Sequence, residues 1–156
     1  MKEYRVNIPR KKHCIIEFIQ EEQPGIAVVN VALRHFEPKE VFRWHLSIMI
    51  DFEDLLNNGM PSQQEISLID PFEDRLDSML RGLDKTKPNA LFLARITWNA
   101  TRELIWRVYE PEFADRVMQE IIDTKECPKP FDYRMEQDVD WKLAKWHLTD
   151  HSKNRG

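Results

Sequence analysis

The stretch Asn57–Leu83, NNGMPSQQEISLIDPFEDRLDSMLRGL, decides the architecture of this chain. Asn57-Asn58-Gly59 signals a turn. Ser62 with Glu65 three residues later has the spacing of a capping box, in which each side chain satisfies a free N–H at a helix start. From there Ile66, Ile69, Phe72, Leu76, Met79 and Leu80 recur at three- and four-residue steps, one apolar stripe of a helix. Pro71 lies inside the stripe and predicts a kink or a break, and Gly82 a stop. Before the turn, Phe42–Phe52 alternates as a strand. Phe42, Trp44, Leu46, Ile48 and Ile50 take one face, and Arg43, His45, Ser47 and Asp51 the other.

Working outward, Cys14–Gln20 reads as a short strand, Gln23-Pro24-Gly25 as a turn and Ile26–His35 as a β-branched strand. Thr86–Asn89 is a loop. Leu91–Trp98 and Arg102–Tyr109 are two strands around Asn99-Ala100. Asn99-Ala100 fits the space of a tight hairpin; Ala100 suits a type I′ turn poorly, which leaves a longer or bulged loop as the alternative. Pro111 opens a second helix with Phe113, Val117 and Ile121 inward. Cys127-Pro128-Lys129-Pro130 breaks the chain, Phe131–Gln137 is a last strand, and Asp138 or Asp140 caps a short helix, Trp141–Leu148. From Phe42 the order is β-α-β-β-α-β. The expected class is therefore α+β: a ferredoxin-like antiparallel sheet with its helices on one face, two extra N-terminal strands and a short C-terminal helix. Residues 1–12 read as a flexible segment, 13–149 as one domain and 150–156 as a disordered tail.

The 156 residues, 32% charged and 42% hydrophobic, suit one soluble globular domain. A formal charge of -4 argues against a general nucleic-acid binder. No run is long enough to cross a bilayer and no signal peptide is read, so a cytoplasmic setting is expected. Cys14 and Cys127 are far apart and outside any CxxC, which reads as two free thiols, Cys14 buried in its strand.

Gly59-x-Pro61 with Glu65 and Glu73-Asp74, Thr97 and Arg102 before Tyr109, and the ending Phe131-Asp132-Tyr133…Asp138-x-Asp140-Trp141 together resemble a bacterial domain of unknown function, family 695. The resemblance runs from about Cys14 to Leu148 and implies no assigned activity. That family carries glycine where this chain has Ala100. Its layout is similar to that of the regulator of ribonuclease activity B, a small ferredoxin-like protein that inhibits an endoribonuclease by binding it.

No residue set identifies a reaction, and no cofactor is implied. Asp51, Glu53 and Asp54, with Glu73 and Asp74, present oxygens of the kind a divalent cation takes, but without EF-hand spacing they read as solvated charges. Among His13, His35, His45, His147 and His151, only the last two share a helical step, and no third ligand is near. Trp44 and Trp106 are expected in the core; of Trp141 and Trp146, one docks the last helix and the other serves docking or a partner. Alternation sends Arg43, His45, Arg95, Arg107, Tyr109 and Arg134 to the sheet face away from the helices. This surface is either a solvated face with cross-strand ion pairs or a partner-binding face for acidic groups. The expected function is a non-catalytic binding or regulatory module with a protein partner. The alternatives are an RNA-contacting module using those arginines and a small enzyme.

Overall fold

The computed structural model describes residues 7–151. Six strands form one antiparallel sheet: β1 His13–Gln20, β2 Gln23–Asn30, β3 Trp44–Asp51, β4 Ala90–Trp98, β5 Thr101–Val108 and β6 Phe131–Gln137. Their order across the sheet is β1-β2-β4-β5-β3-β6. Three helices accompany it: α1 Gln63–Arg81, α2 Pro111–Thr124 and α3 Lys145–Leu148. None is long and apolar enough to cross a membrane.

The sheet is packed on both faces. On one, Ile69, Phe72, Leu76 and Leu80 of α1 and Val117, Met118 and Ile121 of α2 close over Leu46, Ile48, Leu104 and Trp106. Trp106 is buried as the alternation requires, and Trp44 is half-buried at the edge of the same core. Ser62 caps α1 by accepting from the Glu65 N–H at 3.3 Å. Glu65 does not return to the cap: its buried carboxylate accepts from the Glu53 N–H and from Lys129, tying the loop before the helix to the chain before β6. The helix runs on through Pro71 without a break. The cost of the missing N–H is set against the burial of Ile69, Phe72 and Leu76 on both sides of it.

The other face is not open. The segment after β2 is no strand but a 3-10 turn, Val31–His35, followed by a second one, Lys39–Phe42. Leu33, Phe36 and Phe42 from these turns, with Trp141 and Ala144, build a second core on Ala27, Val29, Ala94 and Ile105. The helix read as Trp141–Leu148 is a 3-10 turn, Lys142–Ala144, leading into α3. Asp138 caps it, its carboxylate accepting from the N–H groups of Lys142 and Leu143.

The first hairpin differs from expectation, and the second is the tight one whose space Asn99-Ala100 fits. The β1–β2 turn is Glu21-Glu22, both with positive φ, so Pro24 and Gly25 lie in β2. Asn99 and Ala100 do form a two-residue turn with φ of 44° and 66°. Tertiary bonds hold Ala100 there, since its N–H donates to Gly59 O at 2.9 Å and its carbonyl accepts from the Phe52 N–H at 2.8 Å. Cys14 is exposed rather than buried, because β1 is an edge strand. Of the segment read as flexible, residues 1–6 lie outside the described residues. Ile8 packs on the second core, and Lys11 pairs with Asp77 at 3.3 Å. Of the tail 150–156, residues 152–156 lie outside the described residues.

Candidate functional site

The six residues expected on one face do not share one surface. His45 and Arg107 come together, but inside the protein. Arg107 is fully buried, and three of its nitrogens donate to Phe42 O, His45 Nδ1 and the carboxylate and carbonyl of Asp138. Tyr109 packs at the margin of the same second core, and Arg43 sits just before β3 with its Nε on Glu40 O. Arg134 remains on the surface, 78% exposed, on edge strand β6. The expectation of a solvent-facing Arg107 is thus corrected by the C-terminal segment, which lays Trp141 over it. Alternation within β5 carries no signal of that covering, which depends on where the C-terminal segment docks.

Arg95 is on the opposite face. Phe92 pairs with Trp106 but Ala94 pairs with Ile105, so Leu93 is an extra residue in β4. A one-residue bulge inverts every side chain beyond it. Arg95 and Thr97 therefore point to the α1 side, where Arg95 meets Glu73 at 2.9 Å and Thr97 accepts from Arg102 Nε at 3.0 Å.

What stays accessible on the second face is a groove of about 380 Å³ between α3 and the β4–β5 turn. Phe18, Ile96, Trp98 and Trp146 make its walls, with Met49 and Glu103 on the β3–β5 side. Gly25 is the residue that allows it. Phe18 lies directly across from Gly25 in the β1–β2 ladder, and its ring occupies the space a Cβ there would fill. Trp98, on the other flank of Gly25, reaches over to β1 and donates from Nε1 to Gln20 O at 3.0 Å. Trp146 completes the wall edge-on to Phe18, ring centroids 5.8 Å apart. Sequence reasoning took Gly25 as a turn glycine and so missed the site. The signal was there in Phe18 and Trp98 flanking a glycine on adjacent strands.

The charge at this groove is negative. Glu103 accepts from Ser47 Oγ at 2.5 Å and pairs with no lysine or arginine among the described residues. Strand register places Asp51 and Asp132 on the same face, both exposed. His45 and His147 are not poised for proton transfer near neutrality: burial first, and Arg107 next, push His45 down to about 4, and burial pushes His147 down to about 4. No group of three or more His, Cys, Asp or Glu with metal-holding geometry occurs among the described residues. The acids Asp51, Glu53 and Asp54 are exposed, while Glu73 is buried as the partner of Arg95 and Arg102.

No significant match was found among curated proteins or among solved structures. A family match does exist, and it spans the α1-side core, most of the second core, the Phe18–Trp98 wall and the buried Arg107–Asp138 pair: over residues 18–145 the chain belongs to the Family of unknown function (DUF695).

Proposed function

We propose that this protein is a non-catalytic, cytoplasmic binding module whose groove at Phe18, Trp98 and Trp146 receives a lysine or arginine side chain from a protein partner. The observation that carries the reading is an unpaired carboxylate, Glu103, beside three aromatic rings in one groove. A cation is drawn to aromatic faces by their quadrupole and to the carboxylate by charge. Asp51 and Asp132 extend the negative field along the route of approach. The strand order β6-β3-β5-β4 with α1 and α2 supports reading the region from β3 onward as a ferredoxin-like unit, to which β1 and β2 add strands. The layout also supports the likeness to the regulator of ribonuclease activity B, a protein that works by binding.

The RNA reading loses its main support, because Arg107 is buried and Arg95 lies on the far face, while the carboxylate of Glu103 lines the aromatic groove and would repel phosphates. The test is a titration of the full chain with an acetylated Leu-Lys decapeptide, its Leu-Glu counterpart and a single-stranded RNA, followed by the indole N–H signals of Trp98 and Trp146. The lysine peptide is expected to shift both signals, with affinity falling roughly tenfold in Glu103→Gln and falling as salt rises. Preference for RNA, or equal binding by the glutamate peptide, would overturn the reading.

A further inference from the structure

On the α1 side of the sheet the bulge in β4 has a second consequence. Beside the first turn of α1, the strands β2, β4 and β5 floor a groove of about 350 Å³. Ile26 from β2, Leu56 and Met60 from the loop before α1, and Ile66 from α1 form an apolar wall. Ile26 is 37% exposed and Leu56 56% exposed, so this wall lies bare to solvent. At the other end are the guanidinium groups of Arg95 and Arg102, with Asn58 and Thr97, and among the described residues no carboxylate lines the groove.

The two arginines are held from behind. Glu73 accepts from Arg95 Nη1 at 2.9 Å and from Arg102 Nη1 at 2.7 Å, Asp70 accepts from Arg102 Nη1 at 3.1 Å, and Thr97 accepts from Arg102 Nε. Arg102 also lies over the Phe52 ring, 5.6 Å from its centroid. Among the described residues, Nη2 of Arg102 and the Nε and Nη2 of Arg95 have no hydrogen-bond partner. Arg95 thus keeps its Nε–Nη2 edge free, a fork that matches the two oxygens of a carboxylate, and Arg102, its side chain 7% exposed, adds the single nitrogen Nη2 beside it. The wall is fixed as well. Leu56 N–H donates to Met60 O, Gly59 N–H to Leu56 O, and Leu55 bridges to Pro61, while Gly59 O accepts from the Ala100 N–H of the β4–β5 hairpin.

We propose that this groove binds a medium-chain amphiphilic carboxylate, its headgroup on Arg95 and Arg102 and its apolar chain along Ile26, Leu56 and Met60. A cationic or neutral amphiphile of the same length lacks the headgroup match, and a hydrophilic anion leaves the wall exposed to water. The site is separate from the aromatic groove and stands or falls without it.

Isothermal titration of the full chain with decanoate, decanol and decyltrimethylammonium tests this. Decanoate is expected to bind with one site and roughly tenfold or greater preference over the other two. Arg95→Gln keeps Arg102 on Glu73 and is expected to weaken decanoate roughly tenfold. Ile26→Asp, at an exposed position, is expected to abolish binding with the melting temperature retained, and Glu103→Gln to leave it unchanged. Equal affinity for decanol, binding that survives Arg95→Gln undiminished, or no binding below the concentration at which decanoate self-associates would each overturn the proposal.

Discussion

Arg107 and Trp141 hold each other over a shared acceptor. The guanidinium carbon lies 4.7 Å from the indole ring centroid, and the Phe42 carbonyl accepts from both Arg107 Nε at 3.2 Å and Trp141 Nε1 at 3.0 Å. Asp138 completes the arrangement by pairing with Arg107 while capping the turn that follows Trp141. One buried cation thus joins the 3-10 turn before β3, strand β5 and the C-terminal segment. Burial lowers the Arg107 pKa to about 10, which leaves it charged at neutral pH.

Removing that cation is expected to leave the Asp138 carboxylate, its side chain 8% exposed, without its charged partner. Arg107→Met should cost about 3–5 kcal/mol in urea unfolding. Arg107→Lys should restore little, because a single ammonium cannot reach acceptors spread over Nε, Nη1 and Nη2. An unchanged urea midpoint for Arg107→Met would show that the lock contributes nothing to stability.

Acid should loosen the same region. Arg107 can only donate, so His45 Nδ1 is an acceptor and the ring is neutral. His45 and His147 have folded values of about 4 against an ordinary 6.5, so between these limits the unfolded chain binds more protons than the folded one. Their stabilisation is fully present above pH 6.5 and is lost as pH falls toward 4. A gap of this size is worth about 3 kcal/mol per ring. Urea midpoints are expected to drop between pH 7 and 4.5. His147→Gln should flatten part of the slope, and a flat wild-type profile would rule the buried histidines out as its source.

The helices and the α1-side core were legible because Ile69, Phe72 and Leu76, or Leu46, Ile48 and Ile50, report their own periodicity. The second face was not. Arg95 reads as a partner of Arg107 by simple alternation, and only the pairing of Ala94 with Ile105 reveals the bulge that separates them. Likewise Trp141 gives no sign in sequence that it returns to cover Arg107, since the contact joins residues far apart in the chain. Asp138 was legible as a cap, but its second role as an ion partner depends on that same long-range closure.

Gly25 is expected to tolerate no side chain while Phe18 is present. Gly25→Ala places a Cβ inside the Phe18 ring, so the ring must lift away from Trp98 and Trp146. A loss of about 1–3 kcal/mol is expected, as for other overpacked sites. In a Phe18→Ala background the same substitution should cost far less. Additive losses in the double variant would show that the two residues do not compete for this space.

The hairpin turn offers a substitution of the opposite sign. Ala100 has φ of 66°, a left-handed conformation that costs an L-residue with a Cβ roughly 1–2 kcal/mol. Glycine removes that cost but makes the unfolded chain more flexible, which takes back about 0.4–1 kcal/mol. The backbone bonds that fix the turn, Ala100 N–H to Gly59 O and Phe52 N–H to Ala100 O, do not involve the methyl group and survive the change. Ala100→Gly is therefore expected to stabilise the protein by about 0.5–1 kcal/mol, the difference between the two effects. Thermal unfolding resolves this as a rise of a few degrees, and a fall in melting temperature would mean that the Ala100 methyl makes packing contacts worth more than the strain of its backbone.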